Sequence, residues 1–286
     1  MIAFLDLVRD IDLLPAPSSA VVKFASLAAE GSADLEELAS TVRYDALLTQ
    51  QLLARARATQ GERAEGITQV RDALVILGTA GALETAVMHH AARPMMAALP
   101  AYGLGEGELW RHGVASSLAV EVIETVISTE LPAGTRAAAF LHDVGKIVLA
   151  RCMDENGLTL GELSQGRPPV FGQAELETLG FSHTMVGARI AQRWTLGPDI
   201  VTAIRNHHDP SSAEEPASVG AIRIANLAAK VAGCGLGAEG LGLSIDAAAC
   251  GRLGITRQDF EFVCAEMHSR LPGALRAAAV LAGVAR

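Results

Sequence analysis

Imidazole, carboxylate and ammonium groups that could do chemistry stand together in the string His142-Asp143-Val144-Gly145-Lys146. The apolar run of residues 137–141 directly before it predicts a buried helix. Neighbouring residues on a helix project about 100° apart, so His142 and Asp143 can both reach one metal ion that lies against that helix. Such a cluster is costly to bury unless its groups are paired or ligated. Two interpretations stay open here: a metal site, and a structural cluster in which Asp143 pairs with Lys146 while His142 donates to a neighbour.

Further histidines could extend this cluster. His112 lies four residues after Glu108, which places both side chains on the same side of a helix. His183 begins another predicted helix, and His207-His208 ends the next one. Imidazole and carboxylate groups together suit iron, manganese, zinc or nickel better than calcium. For His208 there is an alternative, because a cationic side chain at a helix C-terminus is favoured by the helix dipole.

Two other features are predicted to carry no chemistry. His89, His90 and His268 stand on polar faces without carboxylate partners, and we interpret them as solvated surface residues. Residues 235–240 match the dinucleotide-binding pattern GxGxxG, which needs a preceding strand inside a βαβ unit. A helix is predicted before this segment instead, so we interpret it as a flexible loop.

The elements that must position these residues are predicted to be helices throughout. Apolar residues recur at helical spacing almost everywhere, and alternating runs typical of strands are absent from the sequence. The proline and glycines of residues 99–107 mark a boundary. We therefore predict a helical bundle over residues 1–100 and a second helical unit over residues 106–286. The expected helices of the second unit include residues 108–128, 135–151, 183–194 and 199–208.

The composition limits the classes of function. The 286 residues include 23 Lys and Arg against 32 Asp and Glu, a net charge of −9. This acidic balance argues against a nucleic-acid-binding regulator, and the densest basic region, residues 55–71, contains Glu62 and Glu65. The four cysteines form no CxxC pair, which excludes a cysteine zinc ribbon and indicates a reducing compartment. No targeting signal or membrane-spanning run is found, so we expect a cytoplasmic protein that does not bind membranes.

Short segments spread over most of the chain form a wider pattern. They are Leu13-Leu14-Pro15, ADLEELASTVRYDALL at 33–48, VRDALVILG at 70–78, LWRH at 109–112, AFLHDVGK at 139–146, LGFSHTMVG at 179–187 and AIRNHHDP at 203–210. This combination resembles the HDOD family, the HD-related output domains of bacterial signalling, within the HD superfamily of metal-dependent phosphohydrolases. The combination is far more specific than the HDxGK string alone.

The resemblance implies an all-α fold in which an N-terminal helical bundle packs on an HD-type helical core. Similarity to HD enzymes implies that His112, His142 and Asp143 bind a divalent metal such as iron, manganese, zinc or nickel. Similarity to the HD-GYP cyclic-dinucleotide phosphodiesterases adds further candidate ligands, which are Glu108, His183, His207 and His208. In an enzyme of this kind, Lys146 would contact the phosphate of the substrate.

Two departures from the enzymes concern catalysis. HD enzymes close their site with an Asp on a late helix, whereas Asn226 occupies that position here. An amide oxygen can bind a metal but adds no negative charge, and it cannot act as a general base. His208 is followed by Asp209-Pro210 rather than by a Gly-Tyr-Pro segment. Members of the HDOD family are generally treated as regulatory modules without established catalysis.

The leading hypothesis is therefore a signal-transduction output or interaction module with a degenerate HD pocket that can still bind metal. It would bind a partner protein of a signalling pathway or a small nucleotide. The alternative hypothesis is a metal-dependent phosphohydrolase that acts on a nucleotide or cyclic dinucleotide, with metal-activated water as the nucleophile.

Overall fold

The structure is a computed structural model that describes residues 9–12, 14–31, 33–60, 66–159, 171–209, 215–239 and 243–283. Within these residues it contains helices, turns and a single isolated bridge between Leu99 and Leu104, and no strand. The predicted all-α fold class is confirmed. None of the described helices is long and apolar enough to cross a membrane.

The described part of the N-terminal half includes four helices whose bounds are defined. They are α1 (Ser19–Glu30), α2 (Leu35–Val42), α3 (Ala46–Gln60) and α4 (Val70–Met95). Local signals set their ends: the Ser18 hydroxyl accepts from the Val21 amide, and the Asp34 carboxylate accepts from the Glu37 amide. The sequence predicts two helices, 70–77 and 82–92, over the range of α4, and α4 consists of two helical segments that meet at a kink at Gly78, where φ is 65° and ψ is 174°. The predicted helical pattern before residue 9 lies outside the described residues.

Nine further helices of the described chain follow the turn at residues 99–104. They are α5 (Glu108–Ile123), α6 (Thr135–Leu141), α7 (Gly145–Glu155), α8 (Phe171–Leu179), α9 (His183–Arg193), α10 (Pro198–Asn206), α11 (Ala217–Val231), α12 (Ala247–Leu253) and α13 (Arg257–Ala282). α5 ends at Ile123, five residues before the expected end. α13 begins with a capping box between Thr256 and Asp259.

The buried α5 lies at the centre of the second half. It packs against α6, α11 and α13, while α4 packs against α3, α6 and α13. Because α6 and α13 contact helices of both halves, the buried apolar side chains form one continuous core. Ala, Leu, Val and Ile supply most of this core, with Trp194, Phe24 and Phe140 as its largest fully buried members. The division at residues 100–106 into two domains stays a prediction.

Candidate metal centre

The His142-Asp143 pair lies in a break between two helices. We predicted one continuous helix over residues 135–151, and this prediction is wrong at residues 142–144, which separate α6 from α7. There the backbone tightens to three-residue hydrogen bonds, from the Val144 amide to the Leu141 carbonyl (2.8 Å) and from the Lys146 amide to the Asp143 carbonyl (2.9 Å). The break leaves both side chains buried, with His142 0% and Asp143 3% exposed.

Asp143 is the centre of the cluster, with two imidazoles facing each carboxylate oxygen. Its Oδ1 lies 3.4 Å from Nε2 of His183 and 3.7 Å from Nε2 of His207. Its Oδ2 lies 3.6 Å from Nε2 of His112 and 3.5 Å from Nε2 of His142. All four histidines are buried. The cluster thus joins residues as far apart in the sequence as His112 and His207, which are 95 positions apart. Its residues lie on helices α5, α9 and α10 and in the break after α6.

The Nδ1 atom of each buried imidazole is held by an oxygen acceptor. Three of these acceptors are backbone carbonyls: Cys234 O for His112 (3.0 Å), Ala139 O for His142 (2.7 Å) and Ile204 O for His207 (2.8 Å). Because a carbonyl only accepts, each Nδ1 carries the proton and each Nε2 carries a lone pair. This arrangement is the one that metal-binding histidines adopt, since the outer hydrogen bond fixes the tautomer and the ring orientation.

The fourth acceptor is the fully buried carboxylate of Glu175 on α8. His183 donates to it through Nδ1 (2.7 Å to Oε2) and through its backbone amide (2.7 Å), and Tyr102 donates its hydroxyl (2.8 Å to Oε1). Burial raises the pKa of Glu175, but the charge and hydrogen bonds of His183 and the hydroxyl of Tyr102 outweigh it and hold the pKa below its usual range. The ionised carboxylate of Glu175 and His183 form a carboxylate–histidine pair that the sequence analysis did not predict. The only local signal in the sequence is that Glu175 lies eight residues before His183.

The protonation states favour metal binding. Burial holds the pKa of His142 well below its usual value, and burial likewise lowers the pKa of His207. Burial raises the pKa of Asp143, yet the charge of Lys146 outweighs burial and holds this pKa well below its usual range. Neutral imidazoles and an ionised carboxylate are the forms that bind a metal ion.

Several buried polar atoms also lack partners. Oδ1 of Asp143 and the Nε2 atoms of His183 and His207 have no hydrogen-bond partner among the described residues. Unpaired buried polar atoms are costly, and a divalent cation would satisfy all three. Two sets of ligand atoms lie within 4.8 Å of one another: His112, His142 and Asp143, and Asp143, His183, His207 and His208. The residues present therefore fit a divalent metal.

The side chain of Lys146 lies in the same cluster, next to the carboxylate of Asp143. Its Nζ donates to Oδ2 of Asp143 at 2.8 Å, and its side chain is 4% exposed. The geometry is compatible with both interpretations left open by the sequence, because Asp143 pairs with Lys146 while its carboxylate also faces four histidines. Lys146 counts as a competing cation for any metal ion at this carboxylate.

The remaining predicted ligands lie at the edge of the cluster or outside it. His208 is exposed, with its ring 4.2 Å from that of His207 between centroids. Oε2 of Glu108 accepts from the Gly105 amide (2.6 Å) at the start of α5, and Glu108 belongs to neither ligand set. Asn226 is 7% exposed, its Oδ1 has no hydrogen-bond partner among the described residues, and it lines a cavity of about 390 Å³ beside His207 and His208.

Two glycines allow the close packing that builds the centre. A Cβ at Gly145 would lie 2.0 Å from the carbonyl oxygen of His183, so α7 and α9 can approach only without a side chain there. Gly235 has φ of 70°, and a Cβ would lie 2.6 Å from Cγ of His112. Gly235 belongs to the segment that matches GxGxxG, and its described part follows α11 rather than a strand. Gly235 therefore provides the space that the ring of His112 needs, rather than a site for a phosphate.

Two of the histidines assigned to the surface, His89 and His90, are partly buried and hydrogen-bonded. The ring of His90 lies edge-on to Trp194 at 4.8 Å, and its Nε2 bonds to the Pro15 carbonyl (2.9 Å). His89 bonds to Gln51. Our interpretation of His89 and His90 as solvated residues is wrong, because helix packing covers a face that looked polar in sequence. His268 is exposed, as predicted.

The fold and the cluster define a class: an all-helical protein with an HD-type, histidine-rich candidate metal centre. The HDOD domain family matches residues 14–210, about two thirds of the chain, and the chain belongs to this family. The match includes His112, His142, Asp143, His183, His207 and His208. Asn226 lies beyond the matched residues.

Solved structures share the fold. An HDOD domain protein from Geobacter sulfurreducens is 23% identical over 97% of both chains, with a TM-score of 0.70. A provisionally assigned signal-transduction protein from Marinobacter aquaeolei VT8 is 18% identical and superimposes with a TM-score of 0.74 over 96% of this chain and 65% of its own. A provisionally assigned phosphohydrolase from Shewanella amazonensis SB2B is 15% identical, with a TM-score of 0.61 over 96% of this chain and 98% of its own.

A curated relative from Treponema pallidum (strain Nichols) is 28% identical over 112 residues. These residues are 38% of this chain and 21% of the relative, so the chain spans about a fifth of the length of that protein.

Proposed function

We propose that this HDOD protein is a signal-transduction output or interaction module whose Asp143-centred pocket binds a divalent metal without catalysing hydrolysis. The observation that carries the proposal is that the two ligand sets share a single carboxylate, Asp143, and that one oxygen of this carboxylate is already paired with Lys146. Two-metal phosphohydrolases need enough negative ligands to hold both ions and a base for the attacking water.

The charge of the centre supports one ion rather than two. The buried groups Asp143 and Glu175 contribute two negative charges, Lys146 contributes one positive charge, and the buried imidazoles are neutral where their pKa is lowered. One divalent ion leaves a net charge of about +1, whereas two leave about +3 in a buried site, which is costly. Asn226 adds an amide oxygen to the cavity but no charge.

A module of this kind acts by binding, and we propose a protein of a signalling pathway as its partner. The signal-transduction assignment of the Marinobacter relative, which has the same fold, supports this direction. The acidic net charge of −9 disfavours nucleic acid as the partner.

The second candidate function is a metal-dependent phosphohydrolase that acts on a nucleotide or a cyclic dinucleotide. The cavity of about 390 Å³ beside His207 and His208, lined also by Arg223 and Lys230, favours it because it can admit a phosphate-bearing ligand. A bound metal would supply activated water and neutralise phosphate charge. In this case Lys146 would contact the phosphate, and the base would have to come from a residue other than Asn226.

Elemental analysis and an activity assay separate the two functions. The protein is purified without chelators and analysed for iron, manganese, zinc and nickel. It is then assayed with each metal for hydrolysis of nucleotides and of cyclic dinucleotides. We expect about one ion per chain and no hydrolysis above that of Asp143→Ala. Metal-dependent hydrolysis that Asp143→Ala abolishes would contradict the module and support the enzyme.

A further inference from the structure

The turn that joins the two helical halves is closed by backbone hydrogen bonds, and its Leu99, Tyr102 and Leu104 are buried. The amides and carbonyls of Leu99 and Leu104 bond to each other (2.8 and 3.1 Å), and the Tyr102 amide donates to the Leu99 carbonyl (2.9 Å). Tyr102 ends the short 3-10 turn Pro100–Tyr102 and is 2% exposed. Its side chain therefore leaves the turn in a fixed direction, toward the second half.

The hydroxyl of Tyr102 reaches one side of the candidate metal centre. It donates to Oε1 of Glu175 at 2.8 Å, and Glu175 accepts from both Nδ1 and the backbone amide of His183. These bonds set the ring of His183 so that its Nε2 lies 3.4 Å from Oδ1 of Asp143. Tyr102 thus orients a candidate ligand, His183, through the carboxylate of Glu175.

The ring of Tyr102 reaches the other side of the centre. Nζ of Lys146 lies 5.7 Å from the ring centroid, within the range of a cation–π contact. The same Nζ is 2.8 Å from Oδ2 of Asp143. The hydroxyl of Tyr102 therefore reaches His183 through Glu175, and the ring of Tyr102 contacts Lys146 directly. His183 and Lys146 face different oxygens of the Asp143 carboxylate.

A glycine-containing loop ties the same turn to a third ligand. A Cβ at Gly237 would lie 2.6 Å from the carbonyl oxygen of Tyr102, so this loop packs directly on the turn. Three residues earlier, the carbonyl of Cys234 accepts from Nδ1 of His112. The turn therefore packs on the loop whose Cys234 carbonyl bonds to His112. Its Tyr102 hydroxyl also bonds to Glu175, the hydrogen-bond partner of His183.

We propose that Tyr102 is a positioning residue that couples metal loading at the Asp143 centre to the turn joining the two halves. This inference rests on the proposed function in that a metal must bind at the centre. All candidate ligands follow residue 107 in the sequence, so the N-terminal helices can respond to the metal only through packing and through this turn. Coupling between two sites is reciprocal, so a change at the turn must alter metal affinity and metal must alter the turn.

Tyr102→Phe tests whether the turn affects metal affinity, because this substitution removes only the hydroxyl. The chain has one other tyrosine, Tyr44, which is 93% exposed and gives a matched control, Tyr44→Phe. We expect the dissociation constants for Mn²⁺ and Zn²⁺, measured by calorimetry, to rise about 10- to 100-fold in Tyr102→Phe. Tyr44→Phe should bind like the wild type, and circular dichroism of the metal-free variants should show unchanged helix content.

Amide hydrogen exchange tests whether metal binding affects the turn. We expect added Mn²⁺ or Zn²⁺ to slow exchange at the amides of Tyr102, Gly103 and Leu104 by about tenfold in the wild type, and to slow it less in Tyr102→Phe. Metal that binds the wild type without changing exchange at these amides, or a Tyr102→Phe affinity equal to that of the wild type, overturns the coupling.

These outcomes are distinguishable from failure of the proposed function. A wild type that binds neither ion overturns both the module and the coupling. A wild type that hydrolyses phosphodiesters in a metal-dependent way overturns the non-catalytic module, while a weakened metal affinity in Tyr102→Phe still supports the coupling.

Discussion

The Nε2 atoms of His112 and His142 lie 3.2 Å apart, although the Nδ1 atom of each ring donates to a backbone carbonyl. Two imidazole lone pairs therefore face each other inside the core, beside the carboxylate of Asp143. Such a contact is repulsive unless a proton or a metal ion lies between the rings. The arrangement is therefore one that a shared proton or a bound cation would stabilise.

Metal should therefore stabilise the fold through these rings. We expect Zn²⁺ or Mn²⁺ at about 100 times its dissociation constant to raise the free energy of unfolding by about 2.7 kcal/mol, measured by chemical denaturation. His142→Asn should lose this response, whereas His268→Asn, an exposed histidine on α13, should retain it. An equal response in all three proteins would contradict metal binding at this centre.

Lys146 should compete with the metal for Asp143. We expect Lys146→Met to destabilise the metal-free protein by about 3–5 kcal/mol, because it leaves a buried carboxylate without its cation. The same variant should gain more stability than the wild type when metal is added, which thermal unfolding with and without Zn²⁺ will show. Lys23→Met, at an exposed position on α1, is the control and should change neither value.

Asn226 should limit metal affinity through its missing charge. Asn226→Asp places a carboxylate beside His207 and His208, and we expect the metal affinity to rise about tenfold, equivalent to about 1.4 kcal/mol. The metal-free variant should lose stability because the new charge is buried. An unchanged affinity would show that the side chain at this position does not reach the ion.

His90 should make stability depend on pH. Burial lowers the pKa of His90 below the usual 6.5, against the hydrogen bond to Pro15. The unfolded chain therefore takes up a proton before the folded protein does, so this contribution is complete above about pH 6.5 and falls as the pH decreases. We expect the loss to be below about 1.4 kcal/mol per pH unit, because the ring is half-buried. Denaturation between pH 8 and 5 should show a shallower slope for His90→Gln than for the wild type, and the wild-type slope for His268→Gln.

Gly145 should be essential for the contact between α7 and α9. Gly145→Ala puts a methyl group 2.0 Å from the carbonyl oxygen of His183, and we expect a loss of about 3 kcal/mol or more in unfolding free energy. Gly251→Ala, inside α12 with nothing within 4 Å, should instead be neutral or stabilise by up to about 1 kcal/mol. Equal stability of the two variants would mean that the helices move apart at little cost.

The amino-acid sequence by itself determined the helical class, the starts of several helices and the identity of the histidines at the centre. These depend on local signals, such as the caps at Ser18 and Asp34, or on motifs whose residues are close in the chain, such as His142-Asp143. The HDOD family could be predicted for the same reason, since its pattern consists of short segments.

Only the tertiary structure decided how these residues are supported. His112 bonds to a carbonyl 122 positions away, and Tyr102 to a carboxylate 73 positions away. Such pairs leave no trace in helical periodicity, because burial and hydrogen bonding depend on which helices pack together. The same reason explains the burial of His90, the break at Asp143 and the need for Gly235, all of which are set by neighbours distant in the chain.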